Sequence, residues 1–114
     1  MRKRVWSLPH DVYRVMDAAG NLLYVGCSVN AFKRIQQHKA EHQPWFPDAA
    51  SVDIEQYADF TSGRLVEALV IAEEKPIWNR AQESMALVRG RHLRPAVIES
   101  YAGIPMSEFW RAAS

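Results

Sequence analysis

One cysteine in 114 residues, Cys27, has no second thiol within the chain to pair with. A disulfide-stapled scaffold is therefore excluded, and a reducing compartment suits the chain. No apolar run approaches the ~20 residues that a membrane-crossing helix needs. The basic opening Met1-Arg2-Lys3-Arg4-Val5-Trp6 is not followed by the apolar stretch of a secretory signal. The expectation is a cytoplasmic protein with no membrane partner. Glycine and proline are few, 5 and 6, which excludes collagen-like and low-complexity classes. Net charge is nearly absent: 14 Lys+Arg stand against 13 Asp+Glu, leaving +1. A domain that coats nucleic acid is usually far more basic. What is present is 48% hydrophobic and 24% charged residues, the composition of a soluble globular domain long enough to bury a core.

The little charge there is falls unevenly. Arg2, Lys3 and Arg4 open the chain, Arg89, Arg91 and Arg94 cluster with His92, and the stretch between residues 48 and 74 is mostly acidic. Both basic clusters read equally as solvated surface or as phosphate contacts. Composition permits a polyanion partner without requiring one.

Local patterning predicts the elements. Asp11 to Asp17 and Asn21 to Gly26 read as two short strands joined by a hairpin turn at Ala18-Ala19-Gly20-Asn21. Asn30 is a suitable N-cap for a helix from Ala31 to about Ala40, with Ala31, Phe32 and Ile35 on its apolar side. Residues 41 to 50 carry Pro44 and Pro47 and read as an irregular connection whose Trp45 and Phe46 fold back onto the core. Ser51 to Tyr57 alternates as a third strand with one wet face, and Thr61 or Ser62 caps a second helix that stops before Pro76. In the tail, residues 81 to 88 and 106 to 113 are helical candidates, and Pro95 and Pro105 break what lies between. The order β-β-α-β-α predicts an α+β fold: a small three-stranded antiparallel sheet flanked by helices, with a partly helical C-terminal tail.

Three features carry chemistry. A two- or four-residue hairpin loop sets Tyr24 opposite Val15 with Tyr13 diagonal to it, so both phenols share one sheet face. Taken alone, that pair reads as packing. Arg34 and His38 lie one helical turn apart, about 90° from the apolar stripe, at the rim of the buried surface. Taken alone, they read as a solvated helix face. Glu67 sits in a helix that is apolar almost all round, sharing a side with Val70 and Ile71. A half-covered carboxylate there needs a partner, either Arg64 three residues earlier or a metal. Cys27 reads as a small packing residue, since a reactive thiolate needs a nearby base or helix N-terminus.

Order and spacing join these fragments. Asp11-Val12-Tyr13 and Tyr24-Val25-Gly26, with Arg34 ten and His38 fourteen positions after Tyr24, then Glu67 and the Asn79 of Lys75-Pro76-Ile77-Trp78-Asn79, resemble the GIY-YIG nuclease family. The arginine and histidine spacing is similar to that of its homing-endonuclease branch. The run from Val12 to Gly26 also resembles the nuclease half of the bacterial excision-repair incision protein. The likeness covers residues 11 to 79. It departs at Asp11, where the family has glycine, so close approach of the backbone near the site entrance differs here.

The resemblance implies a GIY-YIG-like nuclease domain over residues 1–80 and a C-terminal extension over 81–114 that serves as a cap, a dimer surface or a DNA contact. It implies a metal-dependent DNA endonuclease with Tyr13, Tyr24, Arg34, His38 and Glu67 as catalytic residues and Glu67 holding one Mg²⁺ (or Mn²⁺). Phosphate contacts would come from Arg34 and Asn79, with Asn79 alternatively holding the site in shape. Arg89, Arg91 and Arg94 would add contacts to a longer duplex. DNA is the expected partner, and a homodimer is left open. Two alternatives stand beside it: a DNA-binding module of the same fold without turnover, and a protein-interaction domain presenting Trp45, Phe46 and Trp110 as exposed anchors.

Overall fold

The computed structural model describes residues 5–79 and 94–111. Strands β1 (His10–Met16), β2 (Leu22–Ser28), β3 (Ser51–Tyr57) and β4 (Glu99–Pro105) form one antiparallel sheet in the order β2-β1-β3-β4. Helix α1 (Ala31–Ala40) follows β2, α2 (Phe60–Glu74) follows β3, and the short α3 (Glu108–Arg111) follows β4. The α+β class and antiparallel sheet are as expected, but the sheet has four strands rather than three. No described helix is long and apolar enough to cross a membrane.

Local chemistry explains the elements. In the hairpin, one carboxylate oxygen of Asp17 accepts the N–H groups of Ala19 and Asn21 at 3.0 and 2.8 Å, and Gly20 takes the left-handed conformation (φ 86°) that the turn needs. The turn leaves five residues between Met16 and its partner Leu22, and an irregularity beside Met16 restores the expected register, with Val15 opposite Tyr24 and Tyr13 opposite Gly26. Asn30 caps α1 by accepting the Lys33 N–H at 3.1 Å. The cap of α2 is Asp59, not Thr61 or Ser62: its extended backbone lets the carboxylate reach the Ser62 N–H at 2.8 Å. Lys75, in the left-handed region before Pro76, ends α2.

The sheet is covered on both faces. Val12, Val25 and Tyr57 pack under Val66, Val70 and Ile71 of α2. Tyr13, Val15, Val52 and Ile54 pack under Ala31 and Ile35 of α1 together with Trp45 and Phe109. Tyr57 is thus buried, and the wet face expected for β3 is restricted to the middle of the strand. The outer edge of β2 is closed by the chain leaving α2: Ile77 and Trp78 N–H groups donate to the carbonyls of Leu22 and Leu23.

The fourth strand lies in the tail that the sequence reading left between two proline breaks. It has almost no buried residue, so no apolar alternation announces it. Its pairing is decided by β3: opposite Asp53 it bulges, Gly103 adopts φ 67°, and the Gly103 N–H donates to the Asp53 carboxylate at 2.7 Å. Beyond it, Met106 and the fully buried Phe109 close the α1 side of the core. The helix expected over 81–88, together with Arg89, Arg91 and the Arg2–Arg4 cluster, lies outside the described residues.

Candidate active site

Tyr13 stands at the middle of β1, and its ring lies flat across the strand partner Gly26. A Cβ added to Gly26 would come within 2.3 Å of both Cζ and Oη of the phenol. Only glycine allows this approach. The phenol then reaches α1, where Tyr13 Oη and His38 Nε2 are 2.8 Å apart.

Trp45 builds the rest of the wall. The turn after α1 folds it back until it is 1% exposed, stacked on Tyr24 at 5.0 Å and 13°, and edge-on to His38 at 5.0 Å. Tyr24 meets His38 at 5.2 Å and Tyr13 at 6.3 Å. His38, expected at the rim, is therefore 1% exposed; the reason is Trp45, whose return cannot be read from the helical periodicity of α1. The same burial removes Trp45 as an exposed interaction anchor, and Phe46 and Trp110 pack on each other at 5.7 Å.

Arg34 does sit at the rim, with its side chain 35% exposed. Its guanidinium donates to Gln37 Oε1 at 3.1 Å and to Glu41 Oε1 at 3.2 Å. That same Glu41 oxygen lies 3.8 Å from His38 Nδ1. Glu67 comes from α2, with its side chain 12% exposed, and pairs with Arg64 at 2.5 Å. Its charge is felt by Tyr13, Tyr24 and Cys27, whose ionisation it disfavours.

Asn79 uses both ends of its amide on one β2 residue. Its Oδ1 accepts the Val25 N–H at 2.8 Å and its Nδ2 donates to the Val25 carbonyl at 2.9 Å. Of its two expected roles, this geometry serves the one that holds the site in shape. Arg94 pairs with Glu73 of α2. Asp11 accepts the first N–H of α1, that of Ala31, at 2.9 Å and so ties the helix bearing Arg34 and His38 to the strand bearing Tyr13.

Burial sets the protonation states. Desolvation pushes the Tyr13 and Tyr24 phenols up, so both are neutral at pH 7. Desolvation, helped by the positive charge of Arg34, lowers His38 to about 4. A neutral imidazole carries one N–H, so either Tyr13 donates to a bare His38 Nε2 or Nε2–H donates to the phenol oxygen; the tautomer decides which. Cys27 is pushed up to about 12 by burial and packs beside Gly63, as a structural thiol should. Burial also raises Glu67 against the pull of Arg64.

His38 makes folding stability depend on pH with a definite sign. The unfolded imidazole gains a proton near its usual 6.5, while the folded one resists until about 4. The contribution is complete above the unfolded value and is lost as pH falls from 6.5 to 4, about 3 kcal/mol in all. Urea midpoints at pH 7 and 4.5 should differ more in the native chain than in His38→Gln. Glu67 and Asp11, both raised by burial, act in the opposite sense and are common to both chains. Equal differences in the two chains would contradict a neutral, buried His38.

A divalent cation is the one group the family resemblance implies beyond the chain itself. Among the described residues no group of three or more His, Cys, Asp or Glu is gathered to hold a metal. Glu67 offers a single carboxylate, shielded from solvent and already paired with Arg64, which a metal ion would have to share or displace. A single carboxylate fits Mg²⁺, which takes one or two carboxylates and keeps several waters.

Glu41, Trp45 and Gly26 are site residues that the sequence reading did not place in the site. Gly26 had a signal, a glycine directly across the hairpin from a tyrosine, and Glu41 had one in lying three residues after His38 at the end of α1; Trp45 had none, since it lies in an irregular connection. Compared with protein-family models, curated proteins and solved structures, the chain matches none.

Proposed function

We propose that this domain is a metal-dependent DNA endonuclease that hydrolyses phosphodiester bonds. The observation that supports it most is the buried Tyr13–His38 hydrogen bond, with Arg34 at its rim. Any buried tyrosine needs a partner for its hydroxyl, but an imidazole is one that can also take the proton a relay has to pass on. With its pKa raised, Tyr13 cannot act as a standing phenolate. It acts as a relay, which requires the 1% exposed phenol to be uncovered to water in the complex: Tyr13 Oη takes a proton from the attacking water while passing its own to His38 Nε2. The hydroxide oxygen bonds to phosphorus, the bond to the leaving oxygen breaks, and that oxygen gains its proton from solvent.

Arg34 offers the phosphate a fixed, permanently charged fork, which requires it to leave Gln37 and Glu41. Tyr24, braced by Trp45, orients water and phosphate. Glu67 would hold Mg²⁺ (or Mn²⁺), which when bound neutralises charge on the phosphate and leaving oxygen. Asn79 keeps the β2 edge, and with it Tyr24 and Gly26, in place.

Supercoiled, linear and branched DNA incubated with Mg²⁺, Mn²⁺ or a chelator tests this reading. The expected result is metal-dependent nicking that Glu67→Gln reduces by ~10²–10³-fold. Tight binding with no cleavage under any condition would instead establish the binding module without turnover. A net charge of only +1 disfavours that module, because binding alone relies on many phosphate contacts.

A further inference from the structure

We propose that Glu41 is the third member of a Tyr13–His38–Glu41 relay, a positioning residue that fixes the His38 tautomer so that Nε2 faces the Tyr13 hydroxyl as a bare acceptor. The inference rests on the nuclease reading above for its consequence but not for its geometry.

The argument begins at an orphan. His38 Nδ1 is buried and has no hydrogen-bond partner. A buried ring nitrogen without a partner is costly unless something near it compensates. Glu41 Oε1 lies 3.8 Å from it, beyond hydrogen-bond length but close for electrostatics. With the proton on Nδ1, an N–H dipole points at a carboxylate. With the proton on Nε2, a lone pair would face that carboxylate instead, and Tyr13 would lose its acceptor. The carboxylate therefore selects the first tautomer. Of the other groups facing the ring, Tyr13 from β1 accepts or donates equally well, Tyr24 from β2 and Trp45 from the turn after α1 meet it edge-on, and Arg34 from α1 carries the sign that opposes an N–H, leaving Glu41 as the group that draws one.

Glu41 also has room to respond. Its side chain is 47% exposed, and one oxygen is shared between Arg34 and His38. When a phosphate takes Arg34, that oxygen is released to close on Nδ1–H. Substrate binding and relay formation are thereby coupled through one carboxylate. Glu41 further stabilises the imidazolium once Tyr13 has delivered its proton, since its charge opposes the depression of the His38 pKa.

The tautomer is read directly from the imidazole ¹⁵N shifts of the intact protein near pH 7, with the His38 signals assigned by their loss in His38→Gln. The expected spectrum has a protonated Nδ1 and an unprotonated Nε2. A protonated Nε2 in the native chain overturns the proposal. In Glu41→Ala the two tautomers should mix, and cleavage should slow ~10–100-fold. DNA binding should not weaken in that variant, because Arg34 is left without its competitor. Glu41→Gln, which keeps an acceptor oxygen but no charge, should fall between. Glu41 is exposed, so unfolding midpoints of both variants serve as the control for folding. An unchanged tautomer and rate in Glu41→Ala overturns the role of Glu41. Since the spectrum needs no DNA, a native chain that cuts nothing removes the nuclease reading and leaves the relay geometry to be judged by the ¹⁵N shifts alone.

Discussion

Gly26→Ala should destabilise the protein by about 3 kcal/mol, at the upper end of overpacking penalties in a close-packed interior. For a chain of this length that lowers the thermal midpoint by roughly 10 °C. The reason is local: the new methyl would sit 2.3 Å from two atoms of a rigid phenol that is held on its far side by His38. No rotation of Tyr13 relieves the contact without breaking that bond. Gly20→Ala provides the contrast. Nothing lies within 4 Å of its added methyl, and only the positive φ resists, so about 1 kcal/mol is expected there. A double-mutant cycle assigns the cause. In a Tyr13→Ala background the Gly26→Ala penalty should largely vanish, leaving a coupling of about 2 kcal/mol by urea denaturation. A penalty that persists without the ring would mean that the glycine serves the β2 backbone and not Tyr13.

Tyr13→Phe has the larger effect on turnover. It removes one oxygen and leaves the ring and its packing in place. The proposed relay then has no atom between water and His38, and the rate of DNA cleavage should fall ~10²–10⁴-fold. His38 Nε2, buried and now without a partner, should add a stability loss of about 1–2 kcal/mol. The affinity for DNA should hold, because Tyr13 is buried and contributes no exposed surface to a duplex. Cleavage retained at near-native rate in Tyr13→Phe would reduce the phenol to a packing group and remove the mechanism. Affinity lost together with cleavage would point to a collapsed site, which the unfolding midpoint would reveal.

The two variants probe one arrangement from both sides. The ring must lie close to the β2 backbone to point at α1, and α1 must be seated to receive it. Asp11 links the two by holding the first turn of α1 to the strand that carries Tyr13. Asp11 thus acts on the placement of Arg34 and His38.

Several features were legible in the linear chain because they depend on neighbours in sequence. The period-two and 3.6-residue patterns, the Asn30 cap, the turn at Ala18-Ala19-Gly20-Asn21 and the break at Pro76 specify β1, β2, α1, β3 and α2 to within a few residues. The shared face of Tyr13 and Tyr24 is as the even-loop register predicts, although the turn itself is one residue off and the irregularity beside Met16 restores the pairing. The half-covered Glu67 and its Arg64 partner were likewise foreseeable from helix spacing.

Other features were decided only when distant segments met. β4 is an edge strand whose side chains are mostly exposed; its place is set by β3 and by the Asp53–Gly103 hydrogen bond, not by any pattern of its own. His38 moved from rim to interior because Trp45, seven residues on and beyond the end of its helix, folds over it. Glu41 entered the site through the same turn, and Asn79 found its role only against the backbone of Val25. Sequence by itself determined which chemical groups this protein carries and which elements bear them. Tertiary structure decided their protonation, because desolvation and the sign of the nearest charge are properties of a folded neighbourhood that no single segment contains.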